Sequence, residues 1–259
     1  MRPFFKKIAR QFKFIEHIGL SNFIRYRLAK NGTLFTFRIC DAQVTVRKGT
    51  PDLEVAITSL SGEFNSVGHL FAPTYSDTII DAGGYIGTAA IALSRLYPAA
   101  QVIVIEPSDE NIAILKTNIA AFPNIRLVQG ALVPQGSDSV SLRNRGTGAW
   151  GFSVVEAPDD CPDAQVMATV PAISLSSLDI DLSKVGIMKL DIEGGEHALF
   201  LKDRECLDQI DVLIVELHER IVAGCTKAFF DFSNDRIILK DPGEKYVSVN
   251  RQMRPMSET

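Results

Sequence analysis

From residue 76 onward, short apolar runs alternate with longer stretches whose apolar residues recur every three or four positions. The short runs are typical of buried strands and the longer stretches of amphipathic helices. The predicted strands are 78–81, 101–106, 124–128, 187–191 and 211–217, and the predicted helices are 88–96, 109–121 and 196–202. Consecutive βα units predict an α/β fold whose mostly parallel sheet is covered by helices on both faces.

The segments around this alternation follow other patterns. Residues 1–30 have helical apolar spacing, and a hairpin at 34–39 and 44–47, turning at 41–42, precedes a helix at 52–61. We therefore expect residues 1–75 to form a helical and β-hairpin appendage on a main domain of residues 76–259. Two runs, 236–240 and 246–250, flank Asp241-Pro242-Gly243 and predict a C-terminal antiparallel hairpin. Residues 134–171 interrupt the alternation with glycines and prolines, and predict an insertion with short strands at 139–142 and 152–156.

Composition narrows the class of protein only modestly. The 259 residues are 46% hydrophobic and 22% charged, which is typical of a globular protein, and the net charge of −4 favours no nucleic-acid partner. Four scattered cysteines without a C-x-x-C pair argue against a disulfide framework or a zinc site and fit a cytoplasmic location. Residues 1–30 carry eight basic side chains and only Glu16 as an acid. Two interpretations of this amphipathic segment stay open: packing onto the main domain or a second subunit, or weak contact of residues 1–15 with an anionic membrane surface.

A glycine-rich turn is the strongest local signal in the sequence. The predicted strand 78–81 runs into Asp81-Ala-Gly83-Gly84-Tyr85-Ile-Gly87, and Glu106 ends the next strand. Glycines allow a ligand to approach the backbone closely, and an acid at the neighbouring strand end can accept hydrogen bonds from ribose hydroxyls. The order D-x-G-G-x-x-G lacks the second glycine of the dinucleotide motif G-x-G-x-x-G. Asp81 would repel a pyrophosphate and attract a sulfonium or an amino group, so the turn favours S-adenosylmethionine as cofactor.

Four motifs stand out along the main part of the chain: Asp81–Gly87, the run Ile-Glu-Pro-Ser at 105–108, the run Met-Lys-Leu-Asp-Ile-Glu-Gly-Gly-Glu at 188–196, and Val-Glu-Leu-His at 215–218. Together they resemble the successive motifs of FkbM-type methyltransferases. The resemblance covers about residues 50–220 and implies a class I methyltransferase fold, which is Rossmann-like, with S-adenosylmethionine as the methyl donor. It also implies methylation of an oxygen on a small molecule or a glycosyl substrate.

The resemblance carries cofactor roles over to individual residues. Asp81, Gly83 and Gly87 are expected at the methionine part of the donor and Glu106 at its ribose. Gly130 and Ala131, which follow the third strand, are expected beside the adenine, with Gly84 and Tyr85 shaping the same pocket.

A second group of polar residues follows the fourth and fifth predicted strands. Its members are Asp191, Glu193, Glu196, His197, Glu216 and His218. Because adjacent parallel strands end at one crevice, we expect these side chains to converge on the substrate side of the cofactor. An aliphatic hydroxyl needs a base, and His218 and Asp191 are the candidates. Glu193, Glu196 and Trp150 are candidate substrate contacts, and no metal is included in the prediction.

Several alternatives stay open at this stage. Glu193 and Glu196 could simply favour the positive end of a helix, or Asp191, Glu193 and Glu216 could bind magnesium. Arg143 and Arg145 would suit an acidic acceptor, which leaves carboxyl methylation open. The rival functions are an NAD(P)-dependent oxidoreductase and a non-catalytic nucleotide-binding module.

Overall fold

The computed structural model describes residues 2–72, 74–240 and 244–253. Its helices are α1 (Arg2–Ile18), α2 (Leu20–Leu28), α3 (Asp52–Thr58), α4 (Thr88–Leu96), α5 (Asp109–Ile119), α6 (Glu196–Lys202), α7 (Arg204–Leu207) and α8 (Cys225–Phe232). Its strands are β1 (Leu34–Ile39), β2 (Ala42–Arg47), β3 (Thr78–Ala82), β4 (Gln101–Glu106), β5 (Ile125–Gln129), β6 (Ala131–Leu132), β7 (Ser139–Asn144), β8 (Phe152–Ser153), β9 (Gln165–Ile173), β10 (Val185–Leu190), β11 (Val212–Glu216), β12 (Arg236–Lys240) and β13 (Lys245–Asn250).

A seven-stranded sheet forms the centre of the molecule, in the order β12-β13-β11-β10-β3-β4-β5. The five strands from β11 to β5 are parallel, and β13 joins β11 and β12 with antiparallel pairing. The predicted fold class, with its mostly parallel sheet and C-terminal antiparallel hairpin, is therefore confirmed. The turn predicted at 241–243 lies outside the described residues.

Alternate side chains of each central strand enter two different apolar layers. Ile79 packs with residues of α4 and α5, whereas its neighbour Ile80 packs with residues of α6 and α8. Strands that are buried on both faces need apolar residues at nearly every position, which explains the continuous apolar runs of the sequence.

The order of the strands creates a crevice beside β3. The chain runs from β3 to β4 and β5 on one side, and returns through β10 and β11 on the other. In open α/β sheets, ligands bind outside the carboxyl ends of the strands at such a switch point. The residues that follow β3, β4, β10 and β11 therefore face a common opening.

The N-terminal segment packs onto the α4–α5 face of the sheet. Gly19, with a φ of 78°, separates α1 from α2 where the sequence pattern predicts one helical segment. The β1–β2 turn lies at Cys40 and Asp41, which both have positive φ, so the prediction of a turn at 41–42 is wrong by one residue. Phe14 and Phe37 belong to the same apolar cluster as the sheet. We therefore propose that the predicted appendage, 1–75, folds together with 76–259.

The membrane contact predicted for residues 1–15 stays a prediction. Of that segment, the structure describes side chains only from residue 9 onward, and Phe12 among them is exposed. None of the described helices is long and apolar enough to cross a membrane.

The insertion at 134–171 forms most of a second, four-stranded sheet in the order β6-β9-β7-β8. The nine-residue strand β9 is not predicted from the sequence, because its first five residues are exposed and give no apolar alternation. The predicted strand at 152–156 is wrong in length, since β8 has only two residues. Helix α8, which covers the β11 side of the sheet, is also absent from the prediction.

A buried ion pair joins the N-terminal hairpin to the main domain. The guanidinium of Arg47 donates to both carboxylate oxygens of Asp52, at 2.9 and 3.1 Å, and to Asn111 Oδ1 at 3.0 Å. Asp52 also accepts a hydrogen bond from the hydroxyl of Tyr85. These contacts connect β2 and α3 to the glycine-rich turn, so the appendage supports one wall of the crevice.

Replacement of Asp52 by alanine should therefore destabilise the whole chain. Arg47 would lose its buried partner, and breaking a buried pair from one side costs about 3–5 kcal/mol. Urea unfolding of Asp52→Ala should show this loss in the free energy of unfolding. The control is Arg38→Ala, whose pair with Asp41 is exposed and should be worth about 1 kcal/mol or less. Equal stability of the two variants would contradict the role of the buried pair.

Candidate active site

The glycine-rich turn after β3 packs directly against the end of β10. Gly83 has a φ of 81°, and a Cβ at this position would lie 1.8 Å from the carbonyl oxygen of Asp191. Tyr85 also has a positive φ, 49°, which turns its N–H toward Glu106 Oε2 at 2.8 Å. The turn is thus fixed on one side by β10 and on the other by the acid at the end of β4.

Glu106 is buried at the base of the crevice. Its carboxylate accepts hydrogen bonds from the backbone N–H of Tyr85 and of Ser108, and from the side-chain amide of Asn111. Burial raises the pKa of Glu106 to about 7, although these three donors oppose the shift. Glu106 therefore titrates near neutrality and favours ligand groups that donate hydrogen bonds.

Asn111 connects Glu106 to two other parts of the chain, and sequence reasoning missed it. Its amide donates to Glu106 Oε1 and to the carbonyl oxygen of Ala149 in the insertion, while its own oxygen accepts from Arg47. The signal in the sequence is a polar residue at a buried position in the first turns of α5.

A cavity of about 290 Å³ occupies the crevice. Six of the eight residues predicted to bind the cofactor line it: Gly83, Gly84, Tyr85, Glu106, Gly130 and Ala131. Trp150, Asp191 and Glu193 from the predicted catalytic and substrate sets line it as well. The charged lining residues among those described are six acids and two lysines: Glu54, Glu63, Glu106, Asp191, Glu193, Glu216, Lys189 and Lys245. The cavity therefore suits a cationic or neutral ligand better than an anionic one.

Two of the residues predicted to bind the cofactor, Asp81 and Gly87, lie behind the wall of the cavity. Asp81 is fully buried and its carboxylate lies 3.1 Å from Lys189 Nζ. Gly87 faces α5, where a Cβ would lie 3.0 Å from Ile119. Among the described residues that line the cavity, neither is present. Both positions shape the turn from behind the lining of the cavity, and their role in cofactor binding stays a prediction.

Lys189 joins the two strands that border the crevice. Its ammonium group donates to the carbonyl oxygen of Gly83 at 3.1 Å, and lies 3.1 Å from Asp81 and 3.5 Å from Asp191. Burial alone would lower the pKa of Lys189, but the two carboxylates raise it. Lys189 is thus a fixed positive charge, and the signal for it in the sequence is a lysine within the apolar run of β10.

The acids that follow β10 and β11 converge on one imidazole, that of His218. Nε2 of His218 lies 3.8 Å from Asp191 Oδ1, 3.7 Å from Glu193 Oε1 and 3.8 Å from Glu216 Oε1. On the other side of the ring, Nδ1 lies 3.0 Å from Glu196 Oε1. His197, which the prediction included in this group, instead lies near Gly224 and Glu219.

The surroundings of His218 do not suit a general base. Burial would lower its pKa, but the hydrogen bond to Glu196 and the nearby carboxylates raise the pKa of His218 to about 9. Its ring is 4% exposed, and neither it nor Glu196 is among the described residues that line the cavity. An imidazole with this pKa carries a proton at neutral pH, which does not favour a base, and the roles of His218 as base and Glu196 as substrate contact stay predictions.

Asp191 lines the cavity and, unlike the protonated His218, has lost its proton at neutral pH. Burial opposes its ionisation, but Lys189, Lys245 and His218 lower the pKa of Asp191. Glu193 is less exposed to solvent than Asp191, and burial raises the pKa of Glu193 to about 7. At neutral pH, Asp191 is therefore the ionised acceptor at the cavity surface.

The insertion contributes one buried arginine to the site. Arg145 forms an ion pair with Glu193. It forms another with Asp160, in which Nη1 lies 2.6 Å from Oδ2. The charge of Arg145 is thus already paired with two carboxylates, which weakens the expectation that it attracts an acidic acceptor.

The sequence of the chain matches a known family. The model of the methyltransferase FkbM domain matches residues 81–239, which is more than half of the chain. The chain belongs to the FkbM methyltransferase family. It is therefore an S-adenosylmethionine-dependent methyltransferase, which favours neither the rival oxidoreductase nor the non-catalytic function.

Several solved methyltransferase structures resemble this FkbM chain. Precorrin-6y C5,15-methyltransferase from Geobacter metallireducens is 15% identical, with a TM-score of 0.38 over 76% of this chain and 86% of its own. TYW2 of M. jannaschii, in complex with AdoMet, is 12% identical, with a TM-score of 0.39 over 86% of both chains. TYW2 of P. horikoshii, in complex with MeSAdo, is 10% identical, with a TM-score of 0.43 over 86% of this chain and 72% of its own. No curated protein sequence matches the chain, so membership of the family rests on residues 81–239.

The residues of the cavity fit the donor that the family uses. Acidic lining residues suit its sulfonium and amino groups, and Glu106 presents a carboxylate to hydroxyl donors. Apolar side chains, among them Leu132 and Leu142, line the same cavity and suit a flat ring. When bound, S-adenosylmethionine supplies an activated methyl carbon.

Proposed function

We propose that this FkbM methyltransferase transfers a methyl group to a hydroxyl oxygen of a small molecule or a glycosyl substrate. The observation that carries the proposal is the convergence of Asp191, Glu193 and Glu216 at the cavity, beside the turn of Gly83. A hydroxyl acceptor needs both a hydrogen-bond acceptor and a proton acceptor, and carboxylates can be both.

The charges of the cavity support a hydroxyl acceptor over other kinds of oxygen. Six carboxylates and two lysines line the cavity among the described residues, and Lys189 and Lys245 are paired with acids. A carboxylate or a phosphodiester backbone would meet this negative field without a free cation to receive it. Trp150, which is 39% exposed at the cavity, offers an aromatic face to a sugar ring.

The predicted cofactor residues divide the cavity into two parts under this proposal. Gly83, Gly84 and Tyr85 would hold the methionine part, Glu106 the ribose hydroxyls, and Gly130 with Ala131 the adenine. The acceptor would then bind between Asp191 and Trp150. Asp191 is the proposed proton acceptor, because it is ionised and reaches the cavity surface.

Cofactor affinity should depend on pH through Glu106. Ribose hydroxyls donate hydrogen bonds, so they bind the ionised carboxylate, whereas the pKa of about 7 leaves Glu106 protonated in acid. We expect the affinity for S-adenosylhomocysteine to fall by up to about tenfold per pH unit below 7 and to level off above 7. Calorimetric titrations between pH 5.5 and 8.5 would measure this dependence.

The matched control for the pH dependence is Glu106→Gln. Its side chain keeps the shape but cannot ionise, so the variant should bind more weakly at pH 8 and lose the change around pH 7. An identical pH profile in the variant and the wild type would assign the dependence to another group and remove Glu106 from the ribose site.

Methyl transfer should depend on Asp191. We expect Asp191→Asn to lower kcat by about 10²–10⁴-fold, because the amide cannot accept the proton, with little change in the affinity for S-adenosylhomocysteine. The measurement is S-adenosylhomocysteine release with a panel of glycosides, polyols, carboxylic acids and short RNAs as acceptors. His197→Ala, a substitution of a histidine outside the cavity, serves as the control.

Two results would contradict the proposal. One is turnover with carboxylic acids or RNA and not with hydroxyl acceptors. The other is an Asp191→Asn variant that methylates a hydroxyl acceptor at the rate of the wild type.

A further inference from the structure

We propose that Asp191, Glu193 and His218 form a binding site for a divalent cation such as Mn²⁺, which holds the acceptor oxygen. This inference rests on the proposed function, since it assigns a ligand to the same site. One carboxylate oxygen of each acid and one ring nitrogen of His218 lie within 4.8 Å of one another.

Each acid of the site has one oxygen engaged by a cationic side chain and the other turned toward the imidazole. Asp191 Oδ2 faces Lys189 and Glu193 Oε2 pairs with Arg145, while Asp191 Oδ1 and Glu193 Oε1 face Nε2 of His218. Glu216 repeats the arrangement, with Oε2 on Lys245 and Oε1 toward the same nitrogen. The second oxygens thus surround a common point, and their orientation is fixed by separate ion pairs.

Nε2 of His218 points into this group without a hydrogen bond from any described residue. The side chain is 96% buried, since its exposed fraction is 4%, and the oxygens around Nε2 lie 3.7–3.8 Å away. This separation is too long for a hydrogen bond. Neighbouring ligand atoms about 2.1 Å from one octahedral ion lie about 3.0 Å apart. The three ligand atoms lie within 4.8 Å of one another, so shifts of about an ångström would close the group around a cation.

The other side of the imidazole has the support that a metal-binding histidine needs. Nδ1 lies 3.0 Å from Glu196 Oε1, and Glu196 is itself fixed by the backbone N–H groups of Ile192 and Gly194. A carboxylate on Nδ1 keeps a proton on that nitrogen, and the ion displaces the second proton of the imidazole from Nε2 to solvent, so that the lone pair of Nε2 binds the ion. Glu196 is fully buried, so its orientation is set by the protein and not by solvent.

The mixed donor set indicates the kind of ion and the kind of acceptor. Carboxylate oxygens suit Mg²⁺ and Mn²⁺, whereas imidazole suits transition metals, so Mn²⁺ satisfies both. Three protein ligands leave open positions at the ion, and an acceptor with two neighbouring oxygens could occupy them. Coordination lowers the pKa of a hydroxyl.

The ion would change the role of Asp191 from proton acceptor to ligand. The O–H bond of the coordinated hydroxyl would then break with transfer of its proton to Glu216, which lines the cavity and lies outside the three-ligand group. The electron pair stays on the acceptor oxygen, so the step needs no further reactant.

The test is the binding of Mn²⁺ alone to the full chain after treatment with a chelator. A titration with Mn²⁺ should show one site per chain, both by calorimetry and by loss of the electron paramagnetic resonance signal of the free ion. His218→Gln and Glu193→Gln should each weaken Mn²⁺ binding by at least about tenfold, on the scale of supporting substitutions at metal sites. His197→Ala should bind Mn²⁺ like the wild type, because His197 lies outside the group.

Binding of S-adenosylhomocysteine shows whether each variant is folded and tests the cofactor site separately. Wild-type chain that binds S-adenosylhomocysteine but binds Mn²⁺ no better than His218→Gln would overturn the cation site and leave the proposed function in place. Hydroxyl methylation that neither a chelator nor Mn²⁺ changes would overturn it as well. Mn²⁺ binding with methylation of carboxylic acids alone would uphold the cation site and contradict the hydroxyl acceptor.

Discussion

The buried ammonium group of Lys189 is the constraint on which the crevice depends. It lies between Asp81 of β3 and Asp191 beyond β10, and donates to the carbonyl oxygen of Gly83. Removing a charge from water costs several kcal/mol, which only nearby opposite charges and hydrogen bonds can offset. Lys189 is therefore stable in this place only while the ends of the two strands stay together. The turn of Gly83 and the carboxylate of Asp191, which both line the cavity, are thereby held at a fixed distance from each other.

The strand order and the positions of Asp81 and Glu106 illustrate what the sequence contains. Apolar runs such as that of β4 specify buried parallel strands, and a glycine turn after the first of them specifies a ligand crevice. Glu106 could be placed because it ends one strand. Asp81 could not, because its surroundings depend on a pairing with Lys189 in the neighbouring strand, 108 positions further along the chain. A strand pattern gives the face of a residue but not its partner.

The insertion and the C-terminal hairpin show the same limit at longer range. Arg145 is 48 positions from Glu193, and Lys245 is 182 positions from Glu63, yet each pair forms an ion pair at the cavity. Lys245 lies opposite Glu216 in the antiparallel pairing of β13 with β11. The C-terminal hairpin therefore supplies the lysine that pairs with Glu63 and Glu216. Periodicity cannot predict such contacts, because nothing in a local pattern identifies which strand will be added at the edge.

Glu193 and Glu196 show how one local motif can serve two purposes. Both could be explained by the positive end of α6, but the carboxylate of Glu196 accepts backbone N–H groups of the turn before that helix, those of Ile192 and Gly194. Glu196 thus fixes this turn, while Glu193 turns inward toward His218. The φ of 53° at Glu193 is rare for a residue with a side chain and is followed by Gly194 at 98°. The two residues together direct a carboxylate at His218 that an ordinary helix start would direct at solvent.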